Sequence, residues 1–184
     1  MKLTKKQTKG KNQPKFDLPT LSYKFYGVDL FAIEFIRSST VFTLIGERGP
    51  GIDPFHSAKA FVSFLPLAPN NKISGGKIIS GSTPKGSDKL ALALRNAAHT
   101  IDRTKEGALT RFFKRVAYKK GRGAAITATA RKLAVMIWNT MVKKEAYQPL
   151  GTEGYQEMIK MKTLATIKKQ MARTRISLAE LTAT

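Results

Sequence analysis

The sequence predicts a mainly α fold: a compact helical domain with a short β-hairpin around residues 72–82 and a basic C-terminal helix. Three observations carry this expectation. Apolar residues recur at helical spacing in four separate stretches after residue 88. Branched residues flank a Gly-Gly pair, as they do in hairpins. At 184 residues and 42% hydrophobic content, the chain is long and apolar enough for one packed core. The expected organisation is a disordered basic tail (1–15), a globular domain (16–150), and a basic helix with its tail (151–184).

Residues 1–15 carry Lys2, Lys5, Lys6, Lys9, Lys11 and Lys15 with no acid, so they repel one another and have little to bury. Aromatic and branched residues begin at Phe16 and Leu18 and continue through Tyr23, Phe25, Tyr26 and Val28. Asp29 is placed to cap a helix running to Arg37. Val41–Ile45 is too short to assign. The glycines and proline of Gly46–Gly51 read as a loop. Ser57 is the natural cap of a second helix, whose apolar face is Phe61, Phe64 and Leu65 and which Pro66 and Pro69 end. The hairpin follows, with Ile73 and Ile78-Ile79 on either side of Gly75-Gly76.

Four helical stripes come next. Leu90, Leu94, Ala97, Ala98 and Ile101 share a face after Asp88, and Leu109, Phe112, Phe113 and Val116 share one after Gly107. The best periodicity is Ile126, Ala130, Leu133, Ile137 and Met141, with Ala134 and Trp138 beside it. Tyr155, Met158, Ile159, Leu164, Ile167 and Met171 lie in a lysine-rich helix. These stripes are core positions; Trp138 and the methionines have no cofactor role.

Charge sets the function class. Lys and Arg number 33 against 12 Asp and Glu, for a net charge of +21. A chain this basic meets a polyanion, most often nucleic acid. The charge is also clustered. Arg103, Lys105, Arg111, Lys114, Arg115, Lys119, Lys120 and Arg122 face Glu106 alone, and six cations lie between Lys160 and Arg175 with no acid. Without cysteine there is neither a disulfide framework nor a thiolate zinc site. His56 and His99 lack metal-ligand spacing and read as structural or solvated. The lysines at the start are followed by no apolar signal segment, and the longest apolar run in the helical region, Leu133–Trp138, does not span a membrane. The expectation is a soluble, cytoplasmic, nucleoid-associated protein with no membrane partner.

The chemistry concentrates in Asn70-Asn71-Lys72-Ile73-Ser74-Gly75-Gly76-Lys77. Ser74 is the single nucleophile of the run. Gly75 and Gly76 remove bulk so that a backbone can approach, and Lys72 and Lys77 supply charge for a phosphodiester. Arg95, about two turns into the following helix, is placed to add a third cation. A serine attacking phosphorus also needs a base or a metal. No paired carboxylates stand out; Asp88 and Asp102 are two among few acids, and Asp88 reads better as a helix cap. Together with Lys85, Lys89, Arg131 and Lys132, these cations and glycines form the expected nucleic-acid-binding set, with Ser74 as the expected catalytic residue and no metal ligand.

The order of motifs resembles the C-terminal domain of the insertion-sequence 110 / 116 / 902 family of DNA transposases, which a bridge RNA guides. The matching pieces are Phe16-Asp17-Leu18, Gly27-Val28-Asp29-Leu30, Phe55-His56-Ser57-Ala58-Lys59, Leu67 through Lys77, Ala91 through Ala98, and Ala125 through Ala134. The likeness covers roughly residues 16–175. It implies a serine nucleophile at Ser74 that completes one site with an N-terminal RNase H-like domain, whose four acids hold divalent metal (magnesium). It implies DNA and a guide RNA as partners, with a second copy or a full-length transposase. The metal domain is missing from this sequence, so the expectation is a shortened chain, inactive alone, with no cofactor of its own. The chain also reads Ile33-Glu34-Phe35-Ile36-Arg37 where the family has Ile-Asp-Gly-Ile-Gly, typical of a DNA-backbone-binding hairpin, and Pro66 where it has glycine. The alternative expectation is an inactive remnant or inhibitor that binds DNA or RNA without cutting. A ribosome-associated RNA-binding protein would fit the charge and size but not the ordered motifs.

Overall fold

A computed structural model describes residues 14–49, 55–104, 107–148 and 152–174. The tail through residue 13, the loop residues Pro50 and Gly51, Asp53-Pro54, and residues 175–184 lie outside the described residues, as do Lys105 and Glu106. The chain forms two units, residues 1–149 and 150–184, and each is described by itself.

Asp17 opens helix α1 (Leu18–Tyr26): its carboxylate accepts from the Thr20 N–H at 3.3 Å and the Thr20 hydroxyl at 2.7 Å. Gly27 closes it in the left-handed region at φ 70°. Asp29 does act as a cap, accepting from the Phe31 N–H at 2.9 Å, but the expected helix over 29–37 does not form. Only a 3₁₀ turn, Leu30–Ala32, follows Asp29. Phe35 stands at φ 67°, and a left-handed residue cannot continue a right-handed helix. Phe35 thus keeps a backbone conformation suited to the glycine of the family pattern.

Helix α2 (Ser38–Arg48) occupies the stretch that sequence left unassigned, and it takes in Gly46–Arg48, which the punctuation marks as loop. Local propensity is poor there, but Val41 and Leu44 are fully buried, and each contributes roughly 1.5–3 kcal/mol. That outweighs the cost of one helical glycine, about 1 kcal/mol. Within the described residues the loop reading holds only at Gly49, whose φ of 65° ends the helix.

Helix α3 (Ala58–Phe64) is capped by Ser57, whose Oγ accepts from the Ala60 N–H at 3.1 Å. Phe61, Leu65 and Leu67 are buried, while Phe64 stays 51% exposed with the Arg48 guanidinium 4.4 Å over its ring. The hairpin pairs β1 (Lys72–Ser74) with β2 (Lys77–Ser80), antiparallel. Helix α4 (Lys89–Ile101) starts at Asp88, which accepts from the Ala91 N–H at 2.8 Å, so Asp88 is the cap its position predicts. All five residues of its stripe are buried.

Helix α5 (Ala108–Lys120) ends at Gly121, φ 84°, and α6 (Arg122–Lys143) begins directly after it. The two fold back on each other, which brings Lys132 over the ring of Phe112. Helix α6 is the spine of the core: Ala130, Leu133, Ala134, Ile137 and Met141 are buried, and α3, α4 and α5 pack on it. Trp138 donates its indole N–H to the Phe55 carbonyl at 3.1 Å. Leu109 and Phe113 of the α5 stripe reach the core. Phe112 turns toward a surface groove instead, and Val116 packs partly buried against the core while also lining that groove. The described residues of the second unit form helix α7 (Thr152–Thr174), on which Met161, Leu164 and Ile167 are exposed. No helix among the described residues is long and apolar enough to cross a membrane.

Candidate nucleic-acid interface

The hairpin is built from its turn outward. Gly75 and Gly76 have φ of 55° and 73°, the two positive values that a type I′ turn demands. No atom lies within 4 Å of where a Cβ would stand on either, so both glycines serve backbone conformation and leave open space. Ser74 pairs with Lys77 directly across the turn, and Ile73 pairs with Ile78. An irregularity between Lys72 and Ile73 shifts Lys72 opposite Ser80. Lys72, Ile73, Ser74, Lys77 and Ile79 are all exposed. Ser74 therefore sits at the tip of a projecting arm, with two lysines beside it.

Below the tip, three contacts anchor the arm. The Asn70 N–H donates to the Ser82 carbonyl at 3.0 Å. Arg95 donates to the Pro66 carbonyl at 3.2 Å. Gly86 lies so close to Pro66 that a Cβ there would meet the proline ring at 2.7 Å. The Arg95 guanidinium, expected to face phosphate, thus ties the loop ahead of the hairpin to α4.

At the root of the arm a groove of about 960 Å³ opens between α5 and α6. Its floor is apolar: Leu67, Pro69, Phe112, Val116, Val135 and Met136. Gly81, Ser82 and Thr83 of the hairpin root form one wall. Arg115, Lys119, Lys120, Arg131 and Lys132 ring it, and the lining includes no acidic side chain. Lys132 Nζ lies 4.4 Å from the centre of the Phe112 ring, and the Arg115 guanidinium lies 5.7 Å from it. Such cation–aromatic contacts hold the two charges at the groove's edge.

The expected residues fall into three places. Lys72, Ser74, Gly75, Gly76 and Lys77 share the hairpin tip. Arg131 and Lys132 share the groove with three cations, Arg115, Lys119 and Lys120, that sequence marked only as part of a charge cluster. Their one-sidedness was the available signal; their meeting with α6 across the Gly121 turn was not readable. Lys85 is exposed on the strand-to-helix loop, and Lys89 pairs with Glu47 at 3.1 Å. Asp88 and Asp102 stand at opposite ends of α4, paired with Arg48 and, at 3.2 Å, with Arg122. His56 is exposed, and His99 lies 3.3 Å from Arg122.

The divalent metal that the resemblance implies finds no fit here. Among the described residues no three His, Asp or Glu side chains come together as ligands, and Asp88 and Asp102 are committed to ion pairs.

A model of the Transposase IS116/IS110/IS902 family matches residues 30–114. No curated protein and no solved structure matches the chain. The matched span runs from the 3₁₀ turn through the hairpin and α4 into α5, so it contains Ser74 and its anchoring contacts; α6 lies beyond it. Over residues 30–114 the chain is therefore similar to the transposases of the IS116/IS110/IS902 family.

Proposed function

We propose that this chain grips DNA and presents Ser74 as the nucleophile of strand cleavage. The observation that carries the reading is the setting of Ser74 within the transposase match: an exposed two-glycine turn, two flanking lysines, and a root locked to the domain. The Ser74 oxygen forms a bond to a backbone phosphorus while the phosphorus–oxygen bond to one strand end breaks. The departing oxygen keeps the electron pair and ends with the serine proton. Lys72 and Lys77 balance charge on the phosphoryl oxygens. The base that takes the proton in transit comes from elsewhere, and the family resemblance points to an acid-bearing domain that also brings magnesium.

The test combines this chain with an acid-bearing transposase domain, magnesium, guide RNA and cognate DNA, and looks for a covalent protein–DNA adduct. The expected result is an adduct that Ser74→Ala abolishes. An adduct that persists in the variant overturns the assignment.

A second reading, a module that binds nucleic acid without cutting it, is favoured by the gathering of cations at the groove rather than around Ser74. It expects no adduct under any condition. Binding to duplex DNA should instead weaken with salt, with a slope of about −0.9 per phosphate neutralised.

A further inference from the structure

We propose that the α5–α6 groove holds an unpaired DNA strand, with bases on its apolar floor and phosphates on its cationic rim. The inference rests on the reading above only for the class of partner. Its own support is the combination of charge and shape.

Five cations around a lining that includes no acid call for a polyanion. A duplex, however, presents phosphates and deoxyribose on a convex cylinder with its bases stacked inside. It would leave the floor of Phe112, Val116, Val135 and Met136 unfilled. Only an unpaired strand offers phosphates and flat apolar faces together, which is the pairing that single-strand grooves use. A volume of about 960 Å³ lies at the upper end of ligand pockets, large enough for more than one base. An acidic peptide matches the charge but lacks the planar rings that would fill the floor.

Position adds to the argument. Gly81, Ser82 and Thr83 belong to both the groove wall and the root of the arm that carries Ser74. A strand leaving the groove at that wall runs toward the serine. Strand exchange needs DNA locally opened, and the groove is placed to keep one opened strand from re-pairing beside the nucleophile.

The experiment measures anisotropy of labelled oligothymidylate, the same strand with abasic sugars, the RNA counterpart, and a duplex of equal length. The expected order places oligothymidylate tightest, above the abasic strand by about fivefold, the low end of what stacking one base contributes. Ala128 of α6 also lines the groove, and Ala128→Trp fills it without changing its charge, which should erase that difference. Because a tryptophan there could disturb α6, the unmodified chain is also crosslinked to a 5-iodouracil strand. Crosslinks should map to the peptides of α5 and α6. Equal affinity for abasic and normal strands, tighter binding of duplex or RNA, or crosslinks confined to other elements overturns the groove assignment and leaves the proposed function standing. Failure of every nucleic acid to bind overturns both.

Discussion

Replacing Gly75 and Gly76 together by alanine tests whether the Ser74 arm is an independent, backbone-determined element. Both residues have positive φ, 55° and 73°, and neither would meet a neighbour through an added Cβ. The penalty is therefore conformational alone, about 1–2 kcal/mol per residue, or roughly 2–4 kcal/mol for the pair. A two-stranded hairpin is marginally stable by itself. This one has three registered pairs, and its described strand side chains are exposed apart from Ser80. A shift of that size lowers the folded-to-open ratio of the arm by about 30-fold to nearly 1,000-fold, and the arm opens. The core shares none of the exposed strand residues, so the melting temperature of the domain should move by less than about 2 °C. Amide exchange and backbone chemical shifts for residues 72–80 report the arm; circular dichroism reports the domain. Gly75→Asn is the control, because asparagine tolerates the left-handed region and Asn-Gly is a favoured type I′ pair. Protected amides at 72–80 in the double-alanine variant would refute the reasoning, as would loss of the arm in Gly75→Asn.

Asp88→Ala removes the α4 cap and the ion pair with Arg48, whose side chains are 14% and 16% exposed, and should lower stability by about 2–3 kcal/mol in urea unfolding. Asp88→Asn keeps an oxygen for the Ala91 N–H and should lose clearly less; equal losses would mean that the cap contributes nothing. Gly86→Ala forces a Cβ against the Pro66 ring and should cost about 1–2 kcal/mol, with most of it recovered in the Pro66→Ala/Gly86→Ala double variant. Additive effects of the two substitutions would show that the contact does not hold the hairpin root. Burial pushes the Tyr26 hydroxyl up to about 12, from 10.0 when unfolded. Between those values the unfolded chain has already lost the proton that the folded chain keeps. Stability from this group is thus flat below about pH 10 and falls as pH rises toward about 12, by at most about 1.4 kcal/mol per unit. Tyr26→Phe should flatten that alkaline slope at the cost of the hydrogen bond to the Gly49 carbonyl; an unchanged slope would place its origin elsewhere.

Local pattern by itself determined α3, α4, α5 and the core of α6, because their apolar stripes, and the caps of α3 and α4, lie within one helical element and need no distant partner. The hairpin was legible for the same reason: a pair of glycines between branched residues specifies its own turn. The expectation of a nucleic-acid partner and the Ser74 motif also came from the linear sequence, through charge and an ordered set of short matches. Tertiary structure decided the rest. Helix α2 is poor in helix formers and exists because Val41 and Leu44 find a buried face against α4. The stretch after Asp29 has a cap and apolar residues but no helix, because Phe35 turns left-handed to feed α2. Arg95 reads as a phosphate ligand until the fold brings the Pro66 carbonyl within 3.2 Å of it. The groove is the least legible feature. Its cations come from two helices, its floor includes residues of a preceding loop, and only the reversal at Gly121 brings Phe112 beneath Lys132. A stripe records which residues share one helix face, whereas a site of this kind depends on which faces the folded chain leaves uncovered.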